Sequence, residues 1–176
     1  MKYLTVLIAL LFMTACKQFQ TIPSKWTGQE AYTKHGFHYE KNRHVTTNYI
    51  RGFYVSPNSK VKVMNVKGNS ADLMIDGNLV SIVNSEKYTN LDIEGILDRL
   101  LSTSSVPPKV SSQFRVNLKT GQPSVGMTKE EVKTIIGYPP AHATPSLDSL
   151  VWKYWFSRFD TKDLVFEGYV LKTIRN

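Results

Sequence analysis

The sequence predicts an α+β protein in two parts. The first is a small β-barrel-like or curled antiparallel sheet with one helix, and the second is a helix or helices packed on a three-stranded antiparallel sheet. Three observations predict this. Residues 36–83 alternate apolar and polar side chains in short runs separated by turn residues, the pattern of half-buried strands. Residues 89–102 switch to helical spacing. From residue 125 onward a well-punctuated short helix precedes three strand-like runs.

Residues 1–15 read as a secretory signal. Lys2 supplies the one charge, and residues 4–13 form an apolar run broken only by Thr5. That run is too short to cross a bilayer, which takes ~20 helical residues. Thr14 and Ala15 then precede Cys16, the single cysteine of the 176-residue chain. Met13-Thr14-Ala15-Cys16 resembles the lipobox of bacterial lipoproteins, with Met13 where leucine is usual. The resemblance implies cleavage before Cys16 and acylation of its sulfur and amine. Acylation would also remove a lone thiol that is a liability in an oxidising compartment. Lys17, where an aspartate would retain such a protein at the inner membrane, implies the periplasmic face of the outer membrane. Several acyl chains make the anchor stable where one is marginal. Residues 16–28 read as a tether, rich in Gln, Thr and Ser, with Pro23, Gly28 and no sustained period.

Residues 29–105 form the predicted β-rich part. Residues 36–40 and 44–50 alternate, with Lys41-Asn42-Arg43 as the turn between them. Residues 59–66 alternate strictly, with Val61, Val63 and Val66 as core candidates. Asp76-Gly77 between two apolar runs is a strong hairpin signal. Thr89 with Asp92 forms a capping box for a helix over residues 89–102, whose apolar face is Leu91, Ile93, Ile96, Leu97, Leu100 and Leu101. The Ser- and Pro-rich stretch 102–109 is the best linker in the chain, which puts a second domain at residues 110–176.

In that second part residues 110–119 are ambiguous: Phe114, Val116 and Leu118 alternate like a strand, while Ser111 or Ser112 could cap a helix. The next helix has both ends written in. Thr128 and Glu131 make a capping box, Met127 can staple onto Val132, and Gly137, Pro139 and Pro140 stop it. Residues 151–158 read as a strand with Trp152, Tyr154 and Phe156 on one face and Trp155 on the other. A turn at residues 160–163 and a hairpin about Glu167-Gly168 complete the sheet.

Candidates for chemistry are few. His35, His38 and His44 cluster in sequence, but there is no Cys ligand after acylation and no metal-binding histidine motif. No catalytic residues, metal or cofactor are expected, and the chain reads as a non-enzyme. The formal charge of +8 allows anionic partners such as lipid headgroups, lipopolysaccharide or nucleic acid, and export argues against nucleic acid. Trp152, Trp155 and Arg158 interleave aromatic and basic groups on one strand, as partner-binding strands do. The stretch 43–52, Arg-His-Val-Thr-Thr-Asn-Tyr-Ile-Arg-Gly, carries a polar face that is either a ligand groove or a solvated surface.

Gly126-Met127-Thr128, Val132 and Ile136-Gly137-Tyr138-Pro139, followed by Trp152-x-Tyr154 and Phe166-x-x-Tyr169-Val170 about Gly168, resemble the motifs of the SmpA/OmlA (BamE) family of outer-membrane lipoproteins. The resemblance covers residues 110–176 and the lipobox, and leaves the N-terminal β-domain of unknown type. It implies two short helices on a three-stranded antiparallel sheet. It also implies an accessory subunit of the machine that folds β-barrel proteins into the outer membrane, binding a protein partner and anionic phospholipid. The expected function is therefore a membrane-anchored, non-catalytic scaffold in envelope assembly. The alternatives are a module that binds peptidoglycan, lipopolysaccharide or anionic lipid, and an inhibitor of a periplasmic enzyme.

Overall fold

A computed structural model of the chain describes residues 23–47 and 49–176. Cys16 and the lipobox-like residues lie outside the described residues, as does Asn48. The architecture is α+β, with a curled six-stranded sheet, a three-stranded antiparallel sheet and four helices.

The first half is built on β1 (Glu30–Thr33), β5 (Lys60–Lys67), β6 (Ser70–Ile75) and β7 (Asn78–Val83). Ala31, Val61, Val63, Ala71, Leu73, Ile75, Val80 and Ile82 alternate onto one face and are buried together. Asp76 and Gly77 both take positive φ, the backbone a two-residue hairpin needs, and set the β6–β7 register. The sheet order is β3-β7-β6-β5-β1-β8, where β3 is Arg43–Val45 and β8 is Leu101–Ser102. All neighbours run antiparallel except β3 on β7.

Between β7 and β8 the helix expected over residues 89–102 starts later and ends earlier, and a separate short helix precedes it. α1 (Glu86–Thr89) ends at Asn90 in the left-handed region, and α2 (Ile93–Leu100) starts at Asp92, whose side chain accepts from the Gly95 N–H at 2.8 Å. Thr89 caps nothing. Its hydroxyl is drawn into a buried network, donating to Asn84 Oδ1 at 3.0 Å, and local side-chain bonds of this kind compete with helix. Leu101 leaves the helix to pair with Thr33. The apolar face of α2 fills the same core as the sheet.

Two further expectations change. Residues 44–50 are not one strand: β3 stops at Val45, because Thr46 turns inward to donate to Asn84 Oδ1 and accept from the Ser85 N–H. Lys41 and Asn42 do form the turn, both with positive φ, but its two arms go to different partners. β2 (Phe37–Tyr39) pairs with β4 (Phe53–Val55) as a separate ribbon. The folded part also reaches back into the presumed tether. Trp26 is 6% exposed and donates its indole N–H to Asp98 at 2.8 Å, since a tryptophan can be buried once its polar edge has a partner.

In the second half the ambiguous stretch is helical, a 3-10 turn at Ser112–Phe114 and then α3 (Asn117–Thr120). α4 (Lys129–Ile136) carries the full capping box at Thr128 and Glu131. It packs on β9 (Val151–Trp155), β10 (Thr161–Glu167) and β11 (Val170–Arg175). Met127, Val132, Ile135 and Ile136 share a core with Trp152, Tyr154, Leu164, Phe166 and Leu171. Reciprocal backbone bonds Gly126 N–H to Leu171 O and Leu171 N–H to Met127 O stitch the helix start to β11. The β9–β10 turn falls at residues 156–160, earlier than expected, because Ser157 Oγ accepts from the Asp160 N–H at 3.1 Å.

The two cores are joined by the ribbon. Phe37 and Val55 belong to the first core, while Tyr54 between ribbon and α4 donates its hydroxyl to Ile135 O at 2.8 Å. The Gly36 N–H donates to Thr134 O at 2.9 Å, so closely that a Cβ at Gly36 would collide with Ile135 O and the Tyr54 hydroxyl. Ile50, 2% exposed, crosses into the second core, and its N–H donates to Trp155 O at 2.8 Å. Tyr49 and Ile50 thereby cover the edge of β9 that the three-stranded sheet would otherwise leave open.

Candidate functional site

The seam between the halves carries the candidate site. Trp155 ends β9, on the face opposite to Trp152 and Tyr154, as strand alternation requires. Its ring lies 5.1 Å from the ring of His142, which lies 4.5 Å from the ring of Tyr88 on α1. Tyr49, Thr47 and Arg158 complete a cleft of ≈ 280 Å³. Four separate segments therefore meet here. The carbonyl of Tyr88 accepts from the His142 N–H at 3.3 Å and ties α1 to the loop after α4.

Tyr49 also lines a second depression, of ≈ 380 Å³. Its rim is basic, with Lys41, Arg43 and Arg51, and Glu40 is its only carboxylate. Arg51 reaches Glu40 at 2.5 Å and stands 5.9 Å from the Tyr49 ring centroid. His38 and His44 form the floor, at 4% and 9% exposure. His44 Nδ1 is 2.7 Å from His38 O, and because a carbonyl only accepts, Nδ1 carries the proton. Burial pushes His35, His38 and His44 each down to about 4, so all three are neutral at physiological pH. Among the described residues no three His, Cys, Asp or Glu side chains are grouped to hold a metal ion.

Among the described residues three buried side-chain polar atoms have no hydrogen-bond partner: His38 Nδ1, Thr47 Oγ1 and Trp152 Nε1. Two of these residues line the seam groove. Buried groups of this kind are uncommon, and each costs stability unless something else satisfies it.

Of the residues expected to bind a partner, Trp155 and Arg158 lie together in the cleft. Trp152 does not: it is 1% exposed, packed on Phe166 at 4.9 Å between ring centroids. The strand's inward face takes it into the core under Lys129, whose ammonium lies 5.6 Å from its ring. Lys129 is itself buried and donates to Leu147 O and Asp148 O, which pins the loop before β9. Sequence reasoning missed Tyr88 and His142, which nothing in their local patterns joins to Trp155. The polar stretch 43–52 was the one available signal, and it supplies Arg43, Thr47, Tyr49 and Arg51.

No protein-family model, curated protein or solved structure matches the chain.

Proposed function

We propose that this chain is an exported lipoprotein, acylated on Cys16 and held at the periplasmic face of the outer membrane. There it serves as a non-catalytic scaffold or accessory subunit in envelope assembly. The observation that carries this is the start of the chain: a short apolar leader ending in Met13-Thr14-Ala15-Cys16-Lys17, with no other cysteine in the sequence. The motif resemblance of residues 110–176 supports the second half of the proposal. The capped α4 on a three-stranded antiparallel sheet is the arrangement that resemblance implies. The surface offers apolar contact points suited to a partner, with Phe159 90% exposed at the β9–β10 turn.

The anchor is tested by replacing Cys16 with serine and fractionating cells. The wild-type protein should sediment with outer membranes and carry acyl chains by mass spectrometry, and C16S should be released from them. An unchanged membrane fraction for C16S would sink the proposal. A second reading, an envelope-polymer binding module, is favoured by the aromatic and basic groove at the seam.

A further inference from the structure

We infer that the seam groove is a binding site for an acidic oligosaccharide. Sugar rings would lie along Tyr49, Trp155, His142 and Tyr88, with their carboxylate or phosphate groups on Arg158, Arg43 and Lys41.

Four observations carry this. Tyr88, His142 and Trp155 pack on one another in a row, with 4.5 and 5.1 Å between ring centroids and tilts of 47° and 34°, so the row offers ring edges and the outer faces of its end members. A pyranose suits such an outer face, since its C–H bonds form an apolar, weakly positive surface against the negative face of an aromatic ring. The cations are unspent: among the described residues Arg158, Arg43 and Lys41 have no carboxylate partner, and the groove's single carboxylate, Glu40, is held by Arg51. Thr47 Oγ1, which can both donate and accept, and His38 Nδ1 are buried beside the groove without a partner, and a side-chain rotation that opens them to the groove would let a ligand satisfy them. Sugar hydroxyls both donate and accept, so they suit both atoms. Finally, the groove is built before any ligand arrives. Its walls come from both halves of the chain, which are held together by the Ile50–Trp155, Tyr54–Ile135 and Gly36–Thr134 bonds, and this lowers the ordering cost of binding. The two compartments, ≈ 280 and ≈ 380 Å³, match the lower end of small-molecule pockets, roughly 300–1,000 Å³.

Other occupants fit less well. An acyl chain would leave the cations and both orphaned atoms unmatched, and a simple anion would leave the rings bare. A single-stranded oligonucleotide would also stack and pair its phosphates, so the preference for a glycan rests on the proposed export. Two envelope glycans share the required chemistry, peptidoglycan through carboxylates and lipopolysaccharide core through phosphates.

The test is titration calorimetry on the full-length protein in detergent micelles. The probes are a disaccharide muropeptide, the same muropeptide with its carboxylates amidated, deacylated lipopolysaccharide core oligosaccharide, and an oligothymidylate. Binding of the muropeptide or the core oligosaccharide supports the inference, and which one binds identifies the source. R158Q and W155A should each weaken that binding about tenfold, the size expected for one lost charge-assisted bond or one lost stacking face. Amidation should do the same for the muropeptide. W155F, which keeps a ring, should recover most of the loss, and matched thermal melts separate lost binding from lost folding. The inference is overturned if neither glycan binds, if binding is indifferent to both variants, or if only the oligonucleotide binds. Fractionation of the same cells reads export separately. An exported protein that binds no glycan sinks this inference alone, and glycan binding by an unexported protein sinks the export proposal alone.

Discussion

Mild acid should destabilise this protein through three histidines. His35, His38 and His44 all have folded values near 4 against an ordinary 6.5, and burial is the leading cause in each case. Bonds to Gly36 O and His38 O oppose this at His35 and His44, while the charges of Arg99 and Lys133 lower His35 further, and any charge on His44 lowers His35 and His38. A depressed folded value means that the unfolded chain takes up protons first. The stabilisation is therefore complete above pH ~6.5 and is lost as pH falls toward 4. Each proton taken up on unfolding contributes about 1.4 kcal/mol per pH unit. Between pH ~7.5 and ~5 one such histidine costs about 2 kcal/mol. His38 and His44 together then remove about 4 kcal/mol, and His35, which is partly exposed, removes up to about 2 more. That is a large share of the 5–15 kcal/mol typical of a folded domain. Asp98 and Glu131, whose carboxyls are held low, add their own loss only further down. Urea titrations at four pH values measure the slope of stability against pH. The slope should correspond to two to three protons near pH 5.5, and H44Q should reduce it by about one. A slope of less than one proton across this range would refute the argument.

Three further perturbations have expected outcomes. Glu131 is 6% exposed. Burial alone would raise its carboxyl, but bonds from Ser111 and Thr128 outweigh that and hold it low. E131A removes the capping box and the clamp on residue 111 together and should cost about 2–3 kcal/mol in urea titration. In Y154F, Gly137 O loses the hydroxyl that donates to it at 2.8 Å inside the core, and stability should fall by about 1–3 kcal/mol with the far-UV spectrum unchanged. Gly121 has φ +65° and a Cβ there would strike the Tyr54 ring. G121A should therefore destabilise far more than G68A, whose Cβ meets open space, and equal thermal shifts for the two would contradict the packing described at the seam.

The parts legible in the sequence are those specified locally. The Thr128–Glu131 box, the Asp76-Gly77 turn and the alternation of Val61 and Val63 depend on residues within a few positions of one another, and all stand in the structure. The misreadings arise where a distant partner outbids the local pattern. Thr46 and Thr89 both converge on Asn84, and that one buried amide ends a strand at one site and takes the expected helix cap away at the other. Trp26 looked like part of a tether because its partner, Asp98, is 72 residues away. The candidate site was half legible for the same reason. Trp155 and Arg158 stood out by residue type, but alternation alone could not tell which tryptophan of the strand faced α4. Tyr88 and His142 become neighbours of Trp155 only when the two halves meet.

As proposed, the chain is anchored in the envelope and works there by contacting an assembly partner, and in-cell photo-crosslinking is the sharpest test of both. A photoreactive residue is placed at Phe159, exposed beside the cleft, and in parallel at Tyr169, 73% exposed at the opposite end of the sheet. Adducts are then purified from outer membranes and identified. The Phe159 position should capture subunits of the machinery that folds outer-membrane barrels, and C16S should lose these adducts. Adducts with no envelope protein from either position, in cells where the protein is abundant, would contradict the proposal.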